Sequence, residues 1–447
     1  MNGSSGADYE VRCPLHGSIP FNGRERDIVN HPFVQRMRSV SQLGLAQFVF
    51  SGATHTRFSH ALGVMHLAGR VFDRLIRSVE RDTGAVLADD ERERLRQVAR
   101  LAGLLHDLGH PPFSHTFEPL LPPRRSLEMP RHWYSRLDLD ARATHEDVSV
   151  ALVYALAQRA PALLPLDEAQ DICALIDQAV QPTPALTSVG SPARLNLYPL
   201  LKQTIGGEID ADRMDYLRRD ARFAGVAYGN FDLERLIQSL TSVETPRGRV
   251  MALEQSGIYT FENFLMARFH MAMQVYFHKT LLAFEHCLTQ AVREGEISLE
   301  IDGTIDNFMA AREDVVLAKL FAARKERWTS RIVDRRPLRR VLELHEPEDS
   351  ALRRRVLDAL AEAKLPVVHL REQRTLSALG RDPHSFPVYL QETVLGRTRT
   401  RPLHQASVLL DRYNQLFRVE NVYCDAADYD RAVKVLEPIL DVAGARE

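Results

Sequence analysis

Four ionisable side chains crowd into ten residues of this chain, just after an apolar run. His106 and Asp107 follow the apolar segment 101–105, and His110 and His115 come next. His106 and His110 are four residues apart and share one helical face if the helix reaches that far, although the proline after His110 favours an earlier end. Imidazole and carboxylate together suit a borderline divalent ion such as Mn, Fe or Zn. A buried helix with a hydrogen-bonded histidine is the simpler interpretation, and the crowding favours a metal site over it.

Two helices must position this His-Asp pair and its partners. Residues 89–108 are predicted as one helix, charged at first and apolar toward the pair. Upstream, a glycine-containing turn with Thr54 as a cap begins a helix that runs toward residue 80. Arg57 and His60 are three residues apart on that helix, so their side chains can contribute to one site. Taken alone, His60 fits better as a hydrogen-bonded histidine of the core.

A long connector separates these helices from the next one. Residues 121–143 are rich in proline and arginine and are long enough to act as a lid. Thr144 to Asp147 then resembles a capping box, which predicts a helix through residue 158. Acids are favourable in a first helical turn, so Glu146 has a structural explanation there, whereas His145 has none.

A polar stripe marks the helix predicted over 209–220. Asp212, Tyr216 and Asp220 follow one another at intervals of four residues, which places them on one face. A solvent-exposed face is the simpler interpretation of this stripe. By itself the pattern only suggests a site.

A cationic face is predicted further along the chain. Residues 262–292 are predicted as one long helix, on which Arg268, Ala272, Tyr276 and Lys279 share a face. That face would surround a tyrosine with two cations.

Composition excludes several classes of protein. The chain has 447 residues, 26% of them charged, and a formal net charge of −2, which gives no global attraction to nucleic acid or to an anionic membrane. The four cysteines form no CxxC pair, so neither a structural zinc site of the usual spacing nor a disulfide framework is expected. No apolar run approaches the roughly 20 residues that a membrane span needs. We expect a cytoplasmic protein.

The hydrophobic pattern changes near residue 330. Before it, helical periodicity dominates; beyond it, short β-rich runs at 387–390, 407–410 and 417–419 alternate with helices such as 427–440. We therefore expect a mainly α fold with a smaller C-terminal α+β region. The predicted domains are a flexible N-terminus (1–10), a catalytic core (11–329) and the α+β region (330–447).

Together the motifs have the order His…His-Asp…Asp on helices, which resembles the HD-domain metal-dependent phosphohydrolases. Within that class the chain is similar to the deoxynucleoside triphosphate triphosphohydrolases, which act on dNTPs. The resemblance runs from about residue 11 to residue 290, and it implies a helical HD-domain phosphohydrolase core. The matching segments are Gln42-Leu43-Gly44, 52–64, 106–115, His145-Glu146, 212–216 and 276–279.

The resemblance also implies a role for each motif residue. The ligands of a divalent metal ion (Mn, Fe, Mg, Ni or Zn) would be His60, His106, Asp107 and Asp212. The proton network at the α-phosphate would consist of His110, Glu118, His145 and Glu146, with His115 as the acid for the departing 5′-oxygen. The triphosphate would be held by Arg57, Arg213 and Arg268. The deoxyribose would be surrounded by Gln42, Leu43, Tyr216, Asp220 and Tyr276.

The nucleotide-activator site of the animal members of this family is only partly kept. Gln35, Arg38 and Arg235 match it, whereas Asn30 replaces its guanine-reading aspartate and Tyr9 replaces a lysine. An asparagine cannot accept two hydrogen bonds from a guanine edge as a carboxylate does. We expect basal activity without an activator, and a nucleotide activator and a homo-oligomer (dimer or tetramer) stay open.

Two alternatives remain beside the dNTP hydrolase. One is another HD phosphohydrolase that acts on a monophosphate, a cyclic dinucleotide or an oligonucleotide end. The triphosphate-sized arginine set disfavours a monophosphate, and no Gly-Tyr-Pro signature of the cyclic-dinucleotide class follows the His-Asp pair. The other is a nucleotide-sensing or single-stranded nucleic-acid-binding protein, for which Arg131, Trp133 and Tyr134 provide a candidate surface.

Overall fold

The structure is a computed structural model, and it is mainly α-helical with small sheets, as predicted. Most of the predicted flexible N-terminus, residues 1–10, lies outside the described residues. The residues that the structure describes are 9–346, 350–375, 377, 379, 386–395, 397–413 and 416–444.

An antiparallel hairpin opens the described chain. Its strands are β1 (Tyr9–Cys13) and β2 (Gly17–Phe21), and Gly17 makes the turn possible with a positive φ of 72°. Two short helices, α1 (Gly23–Val29) and α2 (Pro32–Arg36), follow it. Asn22 begins the first of them with a capping box, and Pro32 occupies the first turn of the second.

Two long helices, α3 (Arg57–Thr83) and α4 (Asp89–Leu105), pack against each other at the centre of the core. The second helix ends at Leu105, before the predicted residue 108. Four residues further on, Gly109 lies directly against the next helix, where a Cβ would overlap the backbone oxygen of His145.

The remaining helices of the first half surround this pair. Thr144 caps the helix predicted from 145, with the reciprocal capping-box bonds between Thr144 and Asp147 in place. The helices are α5 (His145–Arg159), α6 (Leu166–Ile176), α7 (Pro184–Thr187), α8 (Tyr198–Gly206), α9 (Ala211–Ala224) and α10 (Leu233–Gln238). The polar stripe of Asp212, Tyr216 and Asp220 lies on α9, and so on one helix, as predicted.

The prediction of one helix over 262–292 is wrong. The chain first forms the hairpin β3 (Leu240–Thr245) and β4 (Gly248–Glu254), and then two helices, α11 (Ile258–Met271) and α12 (Lys279–Arg293). A π-helical turn over Ala272–Tyr276 separates them, and the ring of His278 accepts a hydrogen bond from the Thr280 amide to begin the second helix. Such turns are frequent at functional sites, and this one ends at Tyr276.

The C-terminal region combines helices with two sheets, as predicted. Before it come α13 (Ile305–Ala310), α14 (Glu313–Ala322) and α15 (Arg327–Val333), the last of which crosses residue 330. The region itself contains β5 (Arg339–Glu346), α16 (Ser350–Glu362), β6 (Val367–Thr375), β7 (Tyr389–Val394), β8 (Arg397–Pro402), α17 (Leu403–Ala406), α18 (Val408–Tyr413), β9 (Leu416–Cys424) and α19 (Tyr429–Gly444). The first sheet has the order β5-β9-β6, and β7 extends the core hairpin by pairing parallel to β4.

The strand predicted over 407–410 is wrong. Residues from Val408 form a helix, because the hydroxyl of Ser407 accepts a hydrogen bond from the Leu410 amide and caps it. The same hydroxyl donates to Glu262 on α11 at 2.7 Å. A contact from a distant helix therefore decides the conformation of a segment whose apolar residues alone favour a strand.

Candidate active site

Four side chains converge from three helices on one point of the core. His60 lies on α3, His106 and Asp107 follow the end of α4, and Asp212 lies in the first turn of α9. One carboxylate oxygen of Asp212 lies 2.9 Å from Nε2 of His60 and 3.5 Å from Nε2 of His106. Oxygens of Asp107 lie 3.7 Å from Nε2 of His60 and 3.2 Å from Nε2 of His106. The structure thus brings together all four residues expected to bind a metal.

The protonation of the two histidines fits a metal ion. Nδ1 of His60 bonds to Asp215 at 2.8 Å, and Nδ1 of His106 bonds to the Gly103 carbonyl at 2.9 Å. Because both partners only accept, each Nδ1 carries a proton, and each Nε2 is left to bind either a metal ion or a second proton. Both Nε2 atoms are buried and make no hydrogen bond of good geometry within the described chain. Two imidazole lone pairs facing two carboxylates form a donor set that suits a divalent ion.

The electrostatics of the centre favour a bound cation. Burial opposes ionisation of Asp107, but Arg57 and the neighbouring histidines outweigh it and hold the pKa of that carboxyl well below its usual range. Burial also opposes protonation of His60, yet the negative charges of Asp212 and Asp215 raise its pKa to about 10, so a proton occupies Nε2 when no metal ion does. The carboxylates therefore stay ionised and attract positive charge.

Asp215, which the sequence did not single out, orients the candidate ligand His60. Its carboxylate is buried and also bonds Nε2 of His16 at 2.6 Å and Nε of Arg219 at 2.7 Å. A Cβ at position 63 would overlap this carboxylate, so the glycine there is required. Asp215 follows Asp212 by three residues and shares its helical face, which is a usable signal, whereas nothing in the spacing points to His16.

A second cluster of imidazoles lies beside the metal centre. The ring centroids of His110 and His145 are 3.9 Å apart in a stacked arrangement, and that of His115 lies 5.1 Å from that of His110. Glu118 bonds Nδ1 of His115 at 2.9 Å and Nδ1 of His145 at 2.7 Å. The same bonds hold the pKa of Glu118 below its usual range. One carboxylate therefore orients two imidazoles toward the site.

The metal centre and the histidine cluster open into one cavity of about 740 Å³. Three predicted residues are absent from its wall: His60 and Glu118 lie behind the groups that they contact, and Arg268 pairs with Glu208 at 2.6 Å. Burial raises the pKa of Glu146, and the positive charge of the buried Lys202, which also lines the cavity, opposes this shift. The predicted residues that do line the cavity are Gln42, Leu43, Arg57, His106, Asp107, His110, His115, His145, Glu146, Asp212, Arg213, Tyr216, Asp220 and Tyr276.

The three predicted phosphate-binding arginines each contact an acid. Arg57 pairs with Asp107 and also donates from Nε to the Ser114 hydroxyl at 3.1 Å. Arg213 pairs with Asp210, whose pKa burial raises to about 7 against the attraction of that arginine. Only the arginines at 57 and 213 face the cavity.

The far end of the cavity carries hydroxyl and carboxylate groups. The hydroxyl of Tyr276 donates to one oxygen of Asp220 at 2.8 Å, and Nε2 of His55 bonds the other oxygen at 2.8 Å. The ring of Tyr216 lies 6.3 Å from that of Tyr276. His55 lies within the predicted 52–64 segment but was not recognised as a site residue.

A second cavity of about 850 Å³ is strongly basic. It lies between α12, α15 and the first strand of the C-terminal sheet. Its cationic lining residues are Lys279, Arg327, Arg331, Arg336, Arg339 and Arg340.

The aromatic residues of the connector 121–143 are buried. Trp133 packs edge-on against Tyr154 with ring centroids 5.2 Å apart, and Tyr134 is 9% exposed. These rings therefore offer no exposed surface for stacking on bases. The connector's role as a lid stays a prediction.

Among the described residues, no helix is both long and apolar enough to cross a membrane.

Two family models match the chain in succession. An HD domain matches residues 57–219 and an HD associated region matches residues 231–354. The first contains all four candidate ligands. The predicted boundaries at residues 10 and 330 stay predictions.

Among curated proteins, the chain is similar to an uncharacterised Bacillus subtilis protein, YwfO, with 31% identity over 66% of this chain and 58% of that protein. It is also similar to a protein of Dictyostelium discoideum named as a homolog of the deoxynucleoside triphosphate triphosphohydrolase SAMHD1, with 28% identity over 66% of this chain and 50% of that one. The human SAMHD1 is 30% identical over 66% of this chain and 45% of its own length. The chain thus spans about half the length of these relatives.

Two solved structures share the fold. A hypothetical protein from Aquifex aeolicus matches with a TM-score of 0.71 and 28% identity, over 96% of this chain and 99% of that chain. A phosphohydrolase from Bacteroides thetaiotaomicron matches with a TM-score of 0.65 and 22% identity, over 93% of this chain and 99% of that one. At 22% identity, the match to the Bacteroides thetaiotaomicron structure supports the fold alone.

Proposed function

Because the chain belongs to the HD-domain family and carries the HD associated region, we propose that it is a metal-dependent phosphohydrolase that cleaves dNTPs to deoxynucleoside and inorganic triphosphate. The observation that carries the proposal is the single cavity that combines three features. These are the His-Asp metal centre, the imidazole cluster and an end that presents Tyr276 and Asp220. Each suits one part of a deoxynucleotide.

The metal centre suits the reacting phosphoryl group. His60, His106, Asp107 and Asp212 would hold the ion, which when bound polarises a phosphoryl oxygen and lowers the pKa of water. The four side chains come from three packed helices, so their spacing is held before any substrate arrives.

The imidazole cluster suits proton transfer at the α-phosphorus. Water attacks phosphorus, the bond from phosphorus to the 5′-oxygen breaks, and His115 donates the proton that the departing oxygen needs. Glu118 stabilises the protonated form of His115 through its bond to Nδ1. His110 and His145 stack beside it and accept the proton released by the attacking water. His115, the most exposed of the three, is the one that can approach the departing nucleoside.

The walls suit the remaining parts of the substrate. Arg57 and Arg213 face the cavity and provide planar guanidinium groups, which bind phosphate oxygens in pairs. Asp220 accepts from the sugar 3′-hydroxyl, and the Tyr276 ring occupies the space that a 2′-hydroxyl needs. Arg268 takes part by holding Glu208 and the helix that carries Arg213, rather than by direct contact in this conformation.

The basic second cavity supports an anionic activator as a further part of the proposal. Its cations suit the phosphates of a second nucleotide, although Asn30 and Tyr9 depart from the regulated pattern. The product assay tests the requirement for an activator, because it is run with and without a second nucleotide. Assembly into a homo-oligomer stays a prediction.

A product assay tests the proposal. Purified protein is incubated with each dNTP and each NTP in Mn²⁺ or Mg²⁺, with and without a second nucleotide, and the products are resolved by ion-pair chromatography. Deoxynucleoside with intact triphosphate, from dNTPs only, is the expected result. Monophosphate with pyrophosphate would mean another HD phosphohydrolase reaction, and no turnover with any nucleotide would favour a binding protein.

A further inference from the structure

The segment between His110 and His115 has a strained backbone. Phe113 and Ser114 both adopt left-handed conformations, with φ of 54° and 52°. Consecutive non-glycine residues rarely do so, because their Cβ atoms crowd the neighbouring carbonyl groups. Such backbone persists only where the surroundings hold it in place. The contacts of this segment therefore identify what sets the geometry of the histidine cluster.

Glu313 makes the contact that holds this segment. It is the first residue of α14, is 6% exposed, and lies within the HD associated region. Its Oε1 accepts from the amide of Phe113 at 2.9 Å and from that of Ser41 at 2.8 Å, and its Oε2 accepts from the Ser41 hydroxyl at 2.5 Å. One buried carboxylate thus joins the strained segment to the residue before Gln42 in the cavity wall.

Arg36 fixes the other side of the same segment to the same region. Its guanidinium donates to the carbonyl of His110 at 3.0 Å, and also to those of Phe308 at 3.1 Å and Ala311 at 2.8 Å. Both side chains are buried. The backbone from His110 to Phe113 is therefore connected at two points to residues 308–313, which lie almost 200 residues later in the chain.

We propose that the HD associated region completes the active site, with Glu313 as a positioning residue. It holds Phe113 and Ser114 in the left-handed conformation, and so sets where His115 lies relative to His110 and His145. Glu313 makes no hydrogen bond to His60, His106, Asp107 or Asp212 in the described chain. Its role therefore concerns proton transfer and leaves metal binding to the HD domain.

The test compares substitutions at two neighbouring positions of the full-length protein. Glu313→Met keeps the length of the side chain but cannot accept a hydrogen bond, which leaves the Phe113 and Ser41 amides unpaired. Glu313→Gln keeps an oxygen that can accept from both amides. Asp314→Asn is the matched control, because Asp314 is exposed and its one ion pair among the described residues is with Arg312 at 2.7 Å.

We expect Glu313→Met to lower kcat at least about tenfold, since small displacements of catalytic groups are costly, while KM changes by less than about threefold. The metal bound per chain should equal that of the wild type. Glu313→Gln should keep kcat within about threefold, and Asp314→Asn should leave it unchanged. Wild-type kcat in Glu313→Met, or a loss of metal parallel to the loss of kcat, would overturn the proposal.

The kinetic part rests on the proposed function, and a second readout does not. In protein with ¹³C-labelled histidine, assigned through His115→Gln, the ring resonances of His115 and His110 should move in Glu313→Met, and those of His60 and His106 should stay. This pattern would support the positioning role of Glu313 even if no dNTP is hydrolysed. Unchanged ring resonances of His115 and His110 would contradict that role. If Glu313→Met does not fold, Glu313→Asp, too short to reach both amides, should move the same resonances, and a wild-type spectrum would contradict the proposal.

Discussion

The metal centre and the histidine cluster lie side by side, yet they are built in different ways. The candidate ligands of the centre project from α3, α9 and the end of α4, and the side chain of His60 is only 1% exposed. The cluster lies on short turns after the His-Asp pair, and the side chain of His115 is 70% exposed. Helix packing determines the first, whereas hydrogen bonds accepted by Glu118 and Glu313 determine the second. We infer that the two can be disabled separately.

The largest effect is expected from His106→Ala. It removes a proposed metal ligand without leaving a buried charge unpaired, unlike a change at Asp107, whose loss would strand Arg57. Turnover should fall by at least about 10³-fold and bound metal should fall with it, as measured by metal analysis of the purified protein. Chelation of the wild type should reproduce both effects. Full activity in the variant would refute the metal assignment.

His115→Gln should act on the cluster alone. Losing a general acid lowers kcat by about 10²-fold, because the departing oxygen must leave without a proton. Bound metal should remain at the wild-type level, since His115 makes no contact with the four ligands in the described chain. A variant that loses metal and activity together would mean that the centre and the cluster are one unit.

Asp215→Asn tests how the centre is supported. Removing the charge that receives Nδ1–H of His60 should weaken metal affinity about 10- to 100-fold and leave the ring signals of the cluster unchanged. Affinity is measured by competition with a chelator of known strength. Glu254→Gln is a suitable control, because that acid lies at the surface and pairs with Arg74 at 2.7 Å. Unaltered affinity would show that helix packing alone orients His60.

A smaller effect is expected at the sugar end from Tyr276→Phe. The change removes the hydroxyl that donates to Asp220, a bond to a charged acceptor worth about tenfold. We expect KM for dNTPs to rise by about that factor with little change in kcat or bound metal. A fall in kcat at constant KM would place Tyr276 in the chemistry rather than in substrate binding.

The same contrast explains what could be predicted from the sequence. Helical periodicity placed Asp212, Tyr216 and Asp220 on one helix, and the capping box at Thr144 correctly predicted where α5 begins. The prediction failed where distant contacts or a local defect decide the backbone. The π-helical turn before Phe277 broke one predicted helix in two, and Ser407 capped a helix where the apolar residues favoured a strand.

The missed site residues fall into the same category. His16 approaches Asp215 from the N-terminal hairpin, and Glu313 approaches Phe113 from the HD associated region. These partners are 199 and 200 residues apart in sequence, and no local spacing connects them. His55 lies within the predicted segment 52–64, but its partner Asp220 lies on α9, far along the chain. Such pairs become visible only when the helices are packed.

Hydrolysis in water enriched in ¹⁸O tests most directly the central claim, that water attacks the α-phosphorus and the 5′-oxygen leaves. Attack at the α-phosphorus with loss of the 5′-oxygen predicts one ¹⁸O atom in the inorganic triphosphate and none in the deoxynucleoside, as resolved by mass spectrometry. Label in the 5′-hydroxyl of the deoxynucleoside would mean cleavage between carbon and oxygen. Labelled monophosphate or pyrophosphate would mean that a different phosphorus–oxygen bond is broken, and either result would contradict the account.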